Sequence, residues 1–174
     1  MEACGGDNLI KLVRIEAQSA QTYKAVRLAA LKQDPHSFGS TYEREVSLSD
    51  KEWLTRASSL DGESRVGFFA LEDEQTLGLV ASFRDREDST VGEVISMWVA
   101  PIARRRRVGS SLLKATCDWA QEQGIQTLRL LVTNRNTAGI SFYERNGFVR
   151  TGKTAPYPNT PDTFEIEMTT STCG

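Results

Sequence analysis

Four arginines run without interruption from Arg104 to Arg107, and Val108-Gly109-Ser110-Ser111-Leu112 follows at once. An apolar strand pattern ends at Val99, Pro101 closes it, and a helical pattern opens at Val108. The arginines therefore sit in a turn that feeds a helix start. Free N–H groups and the positive dipole end at such a start attract anionic phosphate. Arginine side chains add charge-assisted hydrogen bonds, and Ser110 or Ser111 can add a hydroxyl. Gly109 would let the backbone approach a phosphate oxygen closely. The competing readings are a solvated basic turn and a nucleic-acid patch. Against the second, Asp85, Glu87 and Asp88 interrupt the positive charge nearby.

The rest of the chain gives the arginine run no wider basic setting. It has 21 basic and 23 acidic side chains and a formal net charge of −2. That balance gives no overall pull toward nucleic acid or an anionic membrane. A length of 174 residues suits one core, and 39% hydrophobic with 25% charged residues excludes wholesale disorder. We read residues 1–8 as a flexible segment, 9–170 as one domain and 171–174 as a tail. Cys4, Cys117 and Cys173 are odd in number and match no metal-site spacing. They read as free thiols of a reducing cytoplasm, with Cys117 a small core residue. The first eight residues carry no apolar run, and no stretch approaches the ~18 apolar residues of a membrane span.

Periodicity supplies the elements that must position the turn. Leu9–Ile15 reads as a strand and Ser19–Lys32 as a helix, stopped by Asp34-Pro35. Ser37–Val46 reads as a loop or broken helix. Ser49 with Glu52 forms a capping-box pattern for a helix over about Asp50–Ala57. Arg65–Leu71 and Leu77–Arg84 read as a hairpin around Glu72–Thr76, and Gly92–Val99 as a third strand. Val108–Gln123 is a long amphipathic helix ended by Gly124. Thr127–Val132 is a buried strand, and Thr137–Arg145 a short helix stopped by Asn146-Gly147. Phe148–Thr151 and Thr163–Met168 are the last strands, joined by a loop holding Pro156, Pro158 and Pro161. The order implies a mixed sheet flanked by helices, with a right-handed crossover from Val94 to Leu131.

Two segments in this order resemble the GNAT superfamily of N-acetyltransferases. The first is the turn, similar to the pattern Gln/Arg-x-x-Gly-x-Gly/Ala, with Arg104 in first place and Gly109 in last. Arg107 stands where the pattern has its first glycine. The second runs from Leu130 to Phe148: an apolar strand, Asn136, a helix bearing Tyr143, then Gly147-Phe148. Gly139 stands where alanine is common. The stretch Leu28–Glu45 is similar to the first helices of many members. The fold implied is an α/β, mixed α+β architecture. Its central mixed, mostly antiparallel sheet has six to seven strands with a splayed parallel pair, flanked by about four helices.

The resemblance implies acetyl-CoA as cofactor and a primary amine as acceptor, either a small molecule or a protein amine. The charge balance argues for no nucleic-acid and no membrane partner, and since members of the family are often dimers a homodimer is possible. The cofactor would lie against Met97, Trp98 and Val99, the turn Arg104, Arg105, Arg106, Arg107, Val108, Gly109 and Ser110, then Asn136 and Tyr143. A backbone N–H near Trp98 would serve the thioester oxygen. Tyr143 would protonate the departing thiolate, its acidity taken as that of an ordinary phenol near ~10. Glu93, eleven positions before Arg104, would take the amine's proton directly or through water. His36 reads as a loop residue. Glu43 and Glu45 would either attract a cationic amine or form an exposed loop face. Tyr157 and the proline-rich loop would form a stiff lip or simply a rigid turn. Arg107 keeps a second reading open, a non-catalytic acyl-CoA-binding module.

Overall fold

Period-two segments become strands and period-3.6 segments become helices in the computed structural model, which describes residues 9–157 and 160–172. The strands are β1 (Lys11–Arg14), β2 (Arg65–Glu72), β3 (Gln75–Arg84), β4 (Val91–Val99), β5 (Thr127–Thr133), β6 (Val149–Pro156) and β7 (Phe164–Ser171). The helices are α1 (Ala20–Gln33), α2 (Tyr42–Val46), α3 (Asp50–Ser58), α4 (Val108–Glu122) and α5 (Thr137–Arg145). All seven strands join one sheet in the order β1-β2-β3-β4-β5-β7-β6, and β4 with β5 is its parallel pair. The mixed sheet of the GNAT resemblance is therefore present.

Each face of the sheet buries its own apolar layer. Leu112, Leu113 and Trp119 of α4 pack on Val94, Leu128, Leu130 and Met168. On the other face Tyr23 and Leu31 of α1 and Trp53 of α3 cover Phe69, Leu79 and Trp98. The capping box at α3 forms as read: Ser49 Oγ accepts from Glu52 N–H, and the Glu52 carboxylate accepts from Ser49 N–H at 2.7 Å. No helix among the described residues is long and apolar enough to cross a membrane.

The sequence reading needs correction at three places. β6 runs to Pro156, well past Thr151, and Phe148 is buried just before it. The added stretch is polar and exposed, so no apolar period marks it. Gly152, at φ +85°, lies in the irregular stretch that carries the pairing on. β7 runs to Ser171, and Thr172 is buried, its hydroxyl donating to Ile125 O at 2.6 Å. Of the residues read as a tail, Ser171 is the last of β7, and Thr172 just beyond it is tied to the segment before β5. Residues 1–8, Pro158, Cys4 and Cys173 lie outside the described residues.

The third correction is Glu45. It is no amine-attracting loop residue: it is 2% exposed and takes two hydrogen bonds from Arg27, at 3.1 and 3.0 Å, and one from Arg56 at 3.1 Å. Burial pushes its carboxyl upward, but the bonds and charge of Arg27, with help from Ser40 and Arg56, outweigh that and hold it below the usual range. Because the folded value is the lower one, the stability Glu45 contributes is complete at neutral pH. It is lost as pH falls from about 4.3 through the folded value. Glu45→Gln is expected to flatten the acid side of a melting-temperature profile below about pH 5. Glu45→Ala, which strands Arg27, is expected to cost ~3–5 kcal/mol in urea denaturation at pH 7.

Candidate functional site

β4 and β5 pair at only three positions, Val91 with Thr127, Gly92 with Leu128 and Glu93 with Arg129. Beyond Glu93 the ladder stops, although both strands continue. The cause lies in β4. Between Ile95, opposite Ala81, and Trp98, opposite Leu79, β4 carries one residue more than β3. Ser96 in that bulge has φ +57°. A bulge bends its strand and resets which face each following side chain takes. Met97 accordingly packs with the α4-side layer, and Trp98 packs with the α1 side.

The parted strands open a cleft of about 980 Å³. Met97, Trp98 and Val99 form one wall, and Asn136 and Tyr143 lie across from them. Arg104, Arg105, Arg107, Val108, Gly109 and Ser110 line its end. Arg106 is not at the cleft: its guanidinium turns away to pair with the Glu72 carboxylate of β2. Arg104 also has a partner within the protein. It donates to Asp34 Oδ2 at 2.6 Å and to Val99 O at 3.1 Å. Arg105 and Arg107 make no ion pair among the described residues.

Arg107 is the N-cap residue of the fifteen-residue α4, and no side chain caps this helix. The first N–H groups, from Val108 onward, have no acceptor within a helix by its geometry. Arg107 itself is left-handed, at φ +63° and ψ 7°. That backbone explains why a glycine suits this place in the pattern. Gly109 has a different reason from the one its motif suggested. A Cβ there would meet the Phe142 ring at 2.9 Å and Met97 Cε at 3.2 Å, so any larger residue would have to displace these side chains of α5 and β4.

Asn136 caps α5, its Oδ1 accepting from Gly139 N–H at 2.9 Å. A Cβ on Gly139 would lie 2.5 Å from Asn136 Nδ2, so this tight cap accounts for the glycine in place of alanine. Tyr143 stands edge-on to Phe142 and Phe148, with ring centroids 5.3 and 5.7 Å away. Burial pushes its phenol far above the ordinary range, which corrects the expectation of ordinary acidity. The hydroxyl therefore keeps its proton at neutral pH.

Glu93 lies at the floor of the split, paired with Arg129 at 2.9 Å; Arg129 also holds Asp85 at 2.9 Å. It is not on the cleft wall beside Tyr143. Burial, and then the Glu93 charge, raise Glu165 of β7. The Tyr157 hydroxyl donates to Phe38 O at 2.9 Å and ties the β6–β7 loop to the segment after α1. His36 lies in a short 3-10 turn and is exposed, and Glu43 is exposed on α2. Cys117 is a half-buried free thiol whose acidity burial weakens. Two residues escaped the sequence reading. Asp34, read only as a helix stop, accepts from Trp98 Nε1 at 2.8 Å as well as from Arg104. Ser96 carries the bulge, and nothing in its strand pattern announces a left-handed residue.

Residues 25–148 match the model of the Acetyltransferase (GNAT) family. The chain belongs to this family. Acetyl-CoA is the family's cosubstrate. The structure is similar to a GNAT acetyltransferase of Streptococcus pneumoniae, with TM-score 0.78 and 18% identity over 94% of this chain and 99% of that one. It is also similar to the PaiA N-acetyltransferase of Thermoplasma acidophilum in complex with coenzyme A, with TM-score 0.72 and 19% identity over 94% and 99%. In sequence it is 28% identical over 138 residues to a mycothiol acetyltransferase of Renibacterium salmoninarum, covering 76% of this chain and 38% of that protein. The chain thus matches well under half the length of that relative.

The left-handed Arg107 generates a stability prediction. Arg107→Gly removes a strain of about 1–2 kcal/mol but adds unfolded-chain freedom, so net stability should stay level or rise by up to ~1 kcal/mol. Arg107→Val, β-branched at positive φ, should lose more than ~1 kcal/mol by the same urea titration.

Proposed function

We propose that the chain transfers an acetyl group from acetyl-CoA to a primary amine by direct attack. The parting of β4 from β5 beside the uncapped start of α4 carries this reading. The α4 N–H groups with Arg105 and Arg107 suit a pyrophosphate. Beyond Glu93 the β5-facing edge of β4 has no ladder partner. It can take the amide-bearing arm of the cofactor as an added strand would be taken. Met97 and Val99 would hold that arm, and a backbone N–H near Trp98 would donate to the carbonyl oxygen as charge grows there. Bound acetyl-CoA supplies a thioester carbonyl and a thiol leaving group. Tyr143, which lines the cleft, would donate a hydrogen bond from its hydroxyl to the departing sulfur.

The acceptor, a small-molecule or protein amine, would enter from the sheet face that carries Glu93. Glu93 would take the proton through water, since its carboxylate is already bound by Arg129. The internal pairing of Arg104 and Arg106 leaves a divided arginine run, which supports a phosphate turn over a nucleic-acid patch. The free Cys117 thiol supports a reducing compartment such as the cytoplasm.

The second reading, an acyl-CoA-binding module without turnover, draws support from that same Glu93–Arg129 pair and from Arg107. Thiol release from acetyl-CoA across a panel of amines separates the two: binding without turnover selects the module. Tyr143→Phe is expected to lower kcat about 10²-fold or more while leaving the acetyl-CoA Kd within about threefold. Unchanged turnover removes Tyr143 from the chemistry. Glu93→Gln is expected to change the pH dependence of kcat/KM, and a profile identical to wild type dismisses Glu93 as the base.

A further inference from the structure

One face of α1 reaches the bulge of β4 from both sides. Arg27 NH1 donates to Ser96 Oγ at 3.3 Å, and Asp34, seven residues on at the C-cap, accepts from Trp98 Nε1 at 2.8 Å. Residues seven apart on a helix are two turns apart on one face. Arg27 is 8% exposed. Its guanidinium donates to both Glu45 oxygens and lies 4.6 Å from the centroid of the Phe38 ring. A buried pair of this kind is weak evidence for stability, because apolar residues of similar size often serve as well. Here it stands under a serine whose backbone is left-handed, a conformation that persists only where the surroundings over-determine it.

We propose that Arg27 is a positioning residue for acyl transfer. Clamped by Glu45, it holds Ser96 in the left-handed conformation. It thereby sets the backbone of Met97 and Trp98 at the cleft wall. The inference rests on the reading that this backbone holds the cofactor arm and the reacting carbonyl. Arg27 lies on the α1 side of the sheet, away from the phosphate turn. Its loss should therefore disturb the arm and the acyl end and spare the nucleotide end. Lysine would not replace it, because one ammonium lacks the planar fork that meets Glu45 twice and Ser96 once.

The test compares wild type with Ser96→Ala, Arg27→Lys, the pair Arg27→Met with Glu45→Gln, and that pair combined with Ser96→Ala. The double variant leaves no unpaired buried charge. Each protein is titrated calorimetrically with acetyl-CoA and with adenosine 3′,5′-bisphosphate, which carries the nucleotide end alone, and kcat is measured. The double variant should lose about tenfold or more in kcat and Ser96→Ala about threefold or more, since misplacement of the order of an ångström suffices. Both should weaken acetyl-CoA binding several-fold and leave bisphosphate binding within about twofold, and Arg27→Lys should not recover either. The triple variant should be no worse than the double, because all remove one coupled unit.

Losses that multiply in the triple variant overturn the inference. So does equal loss of affinity for both ligands. Ser96→Ala keeps the buried pair and so reads out even where the double variant fails to fold: wild-type kcat and acetyl-CoA affinity in it overturn the inference alone. A wild type that binds both ligands without any turnover overturns the transferase reading, while the ratio of the two affinities still tests Arg27.

Discussion

Two parallel strands that stop pairing leave backbone groups which something else must satisfy. Buried N–H and C=O groups are almost always paired, and an orphaned one costs about as much as a lost hydrogen bond. β4 gives its other edge to β3 along most of its length, so the vacancy is one-sided and faces β5 across the split. That one-sided edge, generated by an extra residue at Ser96, organises the site. On the function proposed above, peptide-like groups would meet the edge and phosphate the helix end.

The regular framework was legible because short-range rules decide it. Ser49 and Glu52 lie three residues apart and cap one helix, so the pair is visible in the chain itself. The apolar side chains of α4 recur at the helical period and bury the face that their spacing marks. The stretch of β6 past Thr151 was illegible for the opposite reason: a polar edge strand with one side solvated carries no apolar alternation, and only pairing with β7 defines it. Glu45 looked like a surface acid because acids usually are. Its burial depends on Arg27, eighteen positions away, and on the ring of Phe38 under that guanidinium. Asp34 could be read as a helix terminator from Pro35, but its bonds to Trp98 and Arg104 span 64 and 70 positions. No local pattern encodes such contacts.

The arginine run divides by backbone geometry. Arg105 and Arg107 are left-handed, at φ +64° and +63°, while Arg104 is extended. The reversals between neighbours split the run: Arg104 and Arg106 turn to carboxylates of the protein, while Arg105 and Arg107 line the cleft. Arg104 closes a ring: its guanidinium bonds the carbonyl of Val99, the residue at which β4 ends, and the carboxylate at the end of α1. Arg106 ties the turn to β2 through Glu72. Those two fix where the turn lies. Fixing it places the N–H groups of α4, and preorganised backbone donors lose little freedom when an anion arrives. On the function proposed above, the charge left for a phosphate is that of Arg105 and Arg107. Arg107 shows the compromise in its own backbone. A glycine would adopt the left-handed turn without strain but would bring no charge to the cleft, whereas arginine accepts the strain and adds a cation where the helix dipole already favours an anion.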